Sequence, residues 1–129
     1  MRKRLLSVLA LLIFLYVMVK NAEAKTDCSY MVGTGMYQVE ATAYCDSAQP
    51  TASGELVRDG ICAFAPELMH KTIALYDTNK NLIRYLEVKD TGSKRIRNGE
   101  VIDIWMSDYD DCIEWGRQKV YIEVIDAEG

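Results

Sequence analysis

The feature that most constrains this chain is an alternation with a period of two. From Met36 to Tyr44, Tyr37, Val39, Ala41 and Ala43 alternate with Gln38, Glu40, Thr42 and Tyr44, the pattern of a strand with one buried face. Shorter apolar runs predict further strands at residues 61–65, 71–77, 82–89, 101–106 and 119–125. Pro50 to Gly54 reads as a turn, Pro66 stops the second run, and Thr78, Asn79, Lys80 and Asn81 form a polar hairpin loop. Helical periodicity is nearly absent. One short helix is expected where Ser107 can act as N-cap and Asp108, Asp110 and Asp111 sit near the positive end. Cys112, Ile113 and Trp115 give that helix an apolar side, and Gly116 suits its C-cap. The expected fold is therefore mainly all-β, a small closed barrel of six strands with one short helix, since closure removes the edges that short strands leave exposed.

The chain's beginning has a different character. Arg2, Lys3 and Arg4 precede an apolar run over residues 5–19, and Ala22, Glu23 and Ala24 follow, which reads as a secretory signal peptide spanning residues 1–24. An uncleaved N-terminal anchor is the alternative, although the apolar run is shorter than the roughly 20 residues a bilayer requires. Residues 25–35, with Gly33 and Gly35, are expected to be a flexible lead-in, and residues 36–126 the barrel domain. The protein is thus placed in the cell envelope or outside the cell, touching membrane only through its first segment.

Of 15 cations and 19 acids in the whole sequence, removal of residues 1–24 leaves 11 and 18, a net charge of −7. Such a balance excludes nucleic acid as a partner, because phosphates call for a basic face. All 4 cysteines, Cys28, Cys45, Cys62 and Cys112, fall in the exported part, where an oxidising compartment permits disulfides. Three pairings are then possible. In a reducing setting the same thiols would serve as small buried apolar groups. Neither Cys-x-x-Cys nor a Cys/His ligand spacing occurs, and the aspartates from 108 to 111 lack the alternating order of a calcium loop, so no metal and no cofactor is expected.

The residues with chemical potential concentrate between positions 88 and 105. Asp90 ends one apolar run and begins Asp90-Thr91-Gly92, which on its own can be a turn whose carboxylate caps backbone amides. Asp103 lies among Val101, Ile102, Ile104 and Trp105. A carboxyl group there is either on the solvated face or held protonated by desolvation, and the second condition suits a general acid. Lys94, Arg95 and Arg97 form a basic stretch between the two aspartates, able to meet acidic substrate groups. The single histidine, His70, falls in a turn, and any Ser-His-Asp triad would depend on it alone. Thr51-Ala52-Ser53-Gly54-Glu55 supplies two hydroxyls for substrate and one more carboxylate.

Taken together, Thr51 to Glu55, Asp90-Thr91-Gly92, Ile96-Arg97, Ile102-Asp103-Ile104-Trp105, the acidic helix ending at Gly116 and the last strand resemble the three-aspartate (3D) domain. This family of bacterial and phage cell-wall proteins is related to membrane-bound lytic transglycosylase A. The Thr-Ala-Ser-Gly-Glu stretch is also similar to rare lipoprotein A and the expansin-like proteins. The resemblance covers residues 37–125. It implies a double-psi β-barrel acting on peptidoglycan glycan strands as a monomer, with Asp103 as catalytic acid-base, Asp90 assisting, and Thr51, Ser53, Glu55 and Arg97 binding substrate. The implied reaction cleaves the bond between N-acetylmuramic acid and N-acetylglucosamine and leaves a 1,6-anhydro ring. Two departures stand out. The family's first aspartate, just before a proline, is here Ala65-Pro66. The loop from Asp90 to Asp103 is also longer than usual, with Arg97 where a lysine is common. Three alternatives follow: a glycan-binding module without catalysis, hydrolysis with Glu55 as second carboxylate, and a secreted interaction protein or inhibitor.

Overall fold

A computed structural model of the protein describes residues 7–15, 26–46 and 48–126. Residues 7–15 form a helix, α1, with exposed side chains. The rest of the expected signal peptide, including its cleavage point after Ala24, lies outside the described residues. No helix among the described residues is long and apolar enough to cross a membrane.

Six strands form a single closed ring: β1 (Met36–Tyr44), β2 (Ile61–Ala63), β3 (Thr72–Tyr76), β4 (Leu82–Asp90), β5 (Val101–Trp105) and β6 (Gln118–Ile125). Around the ring the order is β1-β5-β2-β4-β3-β6, and β6 returns to β1. The pairs β1–β5 and β2–β4 are parallel, and every other neighbour is antiparallel. The fold is thus mainly β, as the alternation predicts, with each expected strand present within a few residues of its expected bounds. Strand β2 is shorter than expected, because Ala65 and Pro66 open a 3-10 turn, Pro66–Leu68, instead of continuing the run.

The core lies inside the ring. Val39 and Ala41 of β1, Ile73 and Leu75 of β3, Leu86 and Val88 of β4, Ile102 and Ile104 of β5, and Val120, Ile122 and Val124 of β6 all turn inward with Phe64. Each fully buried aliphatic or aromatic side chain of this set is worth about 1.5–3 kcal/mol relative to exposure. Part of the expected lead-in over residues 25–35 also contributes to it. A 3-10 helix, Cys28–Met31, buries Cys28 and Met31, Val32 bridges to Val124, and the Gly33 amide donates to the Val124 carbonyl at 2.9 Å.

Two helices lie beside the ring. The expected acidic helix is α3 (Tyr109–Trp115), capped by the Asp108 carboxylate, which accepts from the Asp110 amide, one residue later than the Ser107 cap expected. Gly116 ends it as expected, at φ 62°. A single turn, α2 (Lys94–Arg97), occupies the stretch read as a loop. It forms because Ile96 has somewhere to go. Ile96 packs with Ala63 and Val101 on the outer side of the ring, with Tyr44 against them. Gly92 makes room for it: a Cβ there would lie 3.0 Å from Ile96 Cδ1.

Gly99, which follows α2 at φ +76°, is the tightest backbone approach to the core, since an added Cβ would stand 2.7 Å from Cys28 Sγ. Gly99→Ala therefore combines a left-handed backbone, costing about 1–2 kcal/mol, with displacement of a buried thiol. A loss of roughly 5–15 °C in melting temperature is expected, readable by thermal denaturation. An unchanged midpoint would mean that Cys28 is not seated against this glycine.

Candidate active site

The ring brings the two aspartates into one row. On β5, Ile102 and Ile104 turn inward, so Asp103 faces outward between Val101 and Trp105. Thr42 of β1 pairs in register with Asp103, and its hydroxyl donates to Asp103 Oδ1 at 2.9 Å. On the other side of β5, Ala63 of β2 pairs with Asp103, and Ala63 also pairs with Asp90 across β2–β4. Paired residues share a face of a sheet, so Thr42, Asp103, Ala63 and Asp90 line up across four strands. Two inter-strand spacings separate the aspartate Cα atoms, about 10 Å, with Ala63 between them in register and Tyr44 packed against it.

The two carboxyl groups live in different surroundings. Asp103 is half-buried, flanked by the apolar group that α2 builds against the sheet. Burial pushes its carboxyl above the usual carboxylate range; the Thr42 hydroxyl pulls it back, the charge of Asp90 raises it, and Arg117 lowers it. Desolvation dominates, the condition the sequence suggested for a general acid. Asp90 is an acceptor three times over. Its Oδ1 receives the amides of Ala52 and Thr91, each at 2.9 Å, and its Oδ2 the hydroxyl of Tyr44 at 3.2 Å. The amide-capping role and a place beside Asp103 thus belong to the same side chain.

Tyr44 was not singled out by the sequence reading. It stands two residues beyond Thr42 on the same face of β1, and burial together with the Asp90 charge pushes its phenol far above the ordinary tyrosine range. It therefore remains a hydrogen-bond donor at any neutral pH. The only sequence signal for Thr42 and Tyr44 is their polar phase in an alternating strand, and that phase names no partner until the order of strands is known.

Residues 51–55 form a compact loop clamped to β4. The Thr51 hydroxyl lies 2.8 Å from Ser53 Oγ and donates to the Glu55 carbonyl at 2.8 Å. The Ser53 amide donates to the Lys89 carbonyl at 3.1 Å, and Lys89 Nζ meets Glu55 Oε2 at 3.2 Å. Thr51 and Ser53, expected to hold substrate hydroxyls, are thus used to fold the loop that presents the Ala52 amide to Asp90. Glu55, expected as a substrate contact or second carboxylate, is engaged by Lys89. That lysine, missed in the sequence, is only 9 % exposed. It also contacts Glu87 at 3.6 Å and His70 Nδ1 at 3.1 Å, so the single histidine supports the loop's anchor.

Arg97 is not brought to the row. It is exposed on α2 and lines, with Thr26, Asp27, Pro66, Glu67, Lys94 and Asn98, a cleft of about 460 Å³ that contains neither aspartate. Ala65, where the resemblance led to the expectation of an aspartate, is fully buried beside the same turn as Pro66. No group of three or more histidine, cysteine or acidic residues able to hold a metal occurs among the described residues. Cys28, Cys45, Cys62 and Cys112 are all free thiols in this structure, Cys28 and Cys62 within the core.

Comparison with known proteins adds to the fold alone. The Streptomyces papain inhibitor (SPI) superposes with a TM-score of 0.55 over 72% of this chain and 96% of its own, at 14% sequence identity. A likeness at this identity establishes a related small β-barrel and carries no site residue across. No protein-family model matches the chain, and no curated protein does.

Proposed function

We propose that this protein is exported and cleaves peptidoglycan glycan strands as a lytic transglycosylase, with Asp103 as its acid-base, on a barrel of the double-psi type. The observation that carries the reading is a half-buried carboxyl, raised by desolvation, set in register with a second carboxylate across one alanine. The two parallel strand pairs of the ring support the barrel type. In the sequence of steps, protonated Asp103 gives its proton to the glycosidic oxygen as the bond to C1 of the muramoyl residue breaks. The developing oxocarbenium centre is closed by the muramoyl C6 oxygen, and the Asp103 carboxylate takes the proton that the C6 hydroxyl loses. Asp103 ends as it began, one glycan end carries the 1,6-anhydro ring, and no water is consumed. One acid-base group suffices, unlike hydrolysis by two cooperating carboxylates.

Asp90 acts in this scheme through charge and position. Its negative charge favours the protonated form of Asp103, and its bonds to Tyr44, Ala52 and Thr91 hold the edge of the row against β1 and the 51–55 loop.

A second reading rests on Ala65. Where the family carries its first aspartate, a fully buried methyl group offers no charge, which favours a glycan-binding module that has kept the barrel and lost the reaction. Mass spectrometry of muropeptides after incubation of purified protein with sacculi separates the readings. Anhydromuramoyl ends support the transglycosylase, and new reducing ends would instead indicate hydrolysis. Co-sedimentation with sacculi and no new ends would select the binding module. Failure to co-sediment would leave neither, and would turn attention to the inhibitory activity named for the structural neighbour.

A further inference from the structure

The four thiols are not equivalent in their placing. Cys28 and Cys62 are 0% exposed, one beneath Gly99 and the other facing the interior of the ring. Cys45 and Cys112 lie outside the ring. Cys45 is half-buried and directly follows Tyr44 at the end of β1. There the Tyr44 carbonyl accepts from the Met106 amide at 2.9 Å, holding the strand end to the segment that leads into α3. Cys112 is the buried residue of α3, which packs against β1, the strand that Cys45 directly follows. Two cysteines far apart in sequence thus meet at the junction of a strand and a helix.

The geometry points to a Cys45–Cys112 disulfide, closed by an external disulfide oxidant, that staples α3 to the strand end carrying Tyr44. Of the six pairs that four cysteines can make, it is the one that joins the two thiols outside the core, where α3 packs on β1. Cys45, the more accessible of the pair, is the entry point. Its thiolate attacks one sulfur of a low-molecular-weight disulfide of the glutathione class, releasing one thiolate and forming a mixed disulfide. Cys112 then gives its proton to solvent and attacks the Cys45 sulfur, releasing the second thiolate. The protein loses two electrons and two protons, and the oxidant's sulfur–sulfur bond is reduced to two thiols. Burial raises the Cys112 thiol above its ordinary range, so closure is expected to quicken as pH rises.

The test needs no glycan, so its outcome is independent of the proposed reaction. Purified protein is incubated with oxidised glutathione or with dithiothreitol, alkylated, and digested after glutamate. Cleavage at Glu40, Glu55, Glu67, Glu100 and Glu114 places the four cysteines on separate peptides. The expected result is a peptide joining residues 41–55 to residues 101–114 in the oxidised sample alone, together with a melting temperature roughly 10 °C or more above the reduced form, since the bond closes a long loop in the unfolded chain. Cys45→Ser, at a position outside the core, should show no such rise. The proposal is overturned if both peptides remain unlinked, if either is joined to another cysteine, or if the cross-linked protein melts no higher than the reduced one.

Discussion

Asp103→Asn is expected to lower glycan cleavage by about 10²–10⁴-fold, the usual worth of a positioned proton donor, while the barrel melts at the same temperature as the parent or higher. The two halves of that result have one cause. The Asp103 carboxyl is raised in the folded protein, chiefly by burial, so its ionised form is the one the fold resists. A group with a raised folded value stabilises when protonated, below its unfolded titration, and that contribution is lost as pH rises through the folded value. The parent therefore loses stability relative to the Asn variant as pH climbs through and above the ordinary carboxylate range, and the two converge in acid. Asn keeps an oxygen for the Thr42 hydroxyl, so the pairing of β1 with β5 survives the change. Melting curves of both proteins across pH, beside muropeptide release, check the claim. If the variant melted lower at neutral pH, Asp103 would be a structural carboxylate and not a strained acid.

Asp90 should separate into two effects when it is replaced in two ways. Asp90→Ala removes the acceptor for the Ala52 and Thr91 amides and for the Tyr44 hydroxyl. Each donor left without water costs roughly 1–3 kcal/mol, so a large fall in melting temperature and loss of activity are expected together. Asp90→Asn leaves an oxygen for the two amides and a group that the Tyr44 hydroxyl can accept from, and melting should stay close to that of the parent. What it removes is the charge. Without that charge Asp103 ionises at lower pH, so the alkaline limb of the rate profile should move to lower pH, with activity at neutral pH falling roughly tenfold for each unit moved. Equal losses of stability in the two variants would show that charge, and not hydrogen bonding, is what Asp90 supplies to the fold.

Sequence pattern carried the architecture because period-two alternation is a local property. Val39 and Ala41, Ile102 and Ile104, and Val120, Ile122 and Val124 each declare a buried face within a few residues. The two short helical elements fared differently for the same reason. The one ending at Gly116 has a carboxylate cap, an apolar side and a terminating glycine, whereas α2 is one turn without a side-chain cap, stabilised by the docking of Ile96 on strands distant in sequence. Site residues divide likewise. Asp90 and Asp103 are visible as charges set among apolar neighbours. Tyr44, Thr42 and Lys89 acquire meaning only from register and loop packing, and the roles of Thr51, Ser53 and Glu55 shift once their hydrogen bonds are spent inside the loop.

The Thr42–Asp103 bond spans 61 residues of sequence, and it joins strands that run parallel, the slowest kind of pairing for a chain to find. The hairpin of β3 and β4 can form early, from neighbours, but it holds only one aspartate of the row. Until the ring closes, Asp103 has neither its hydroxyl partner nor the burial that raises its carboxyl. Completion of folding is therefore what sets the Asp103 carboxyl apart from a solvated one. On the proposed reaction, a chain whose ring is still open would lack its acid, which comes into existence only when the last strands meet.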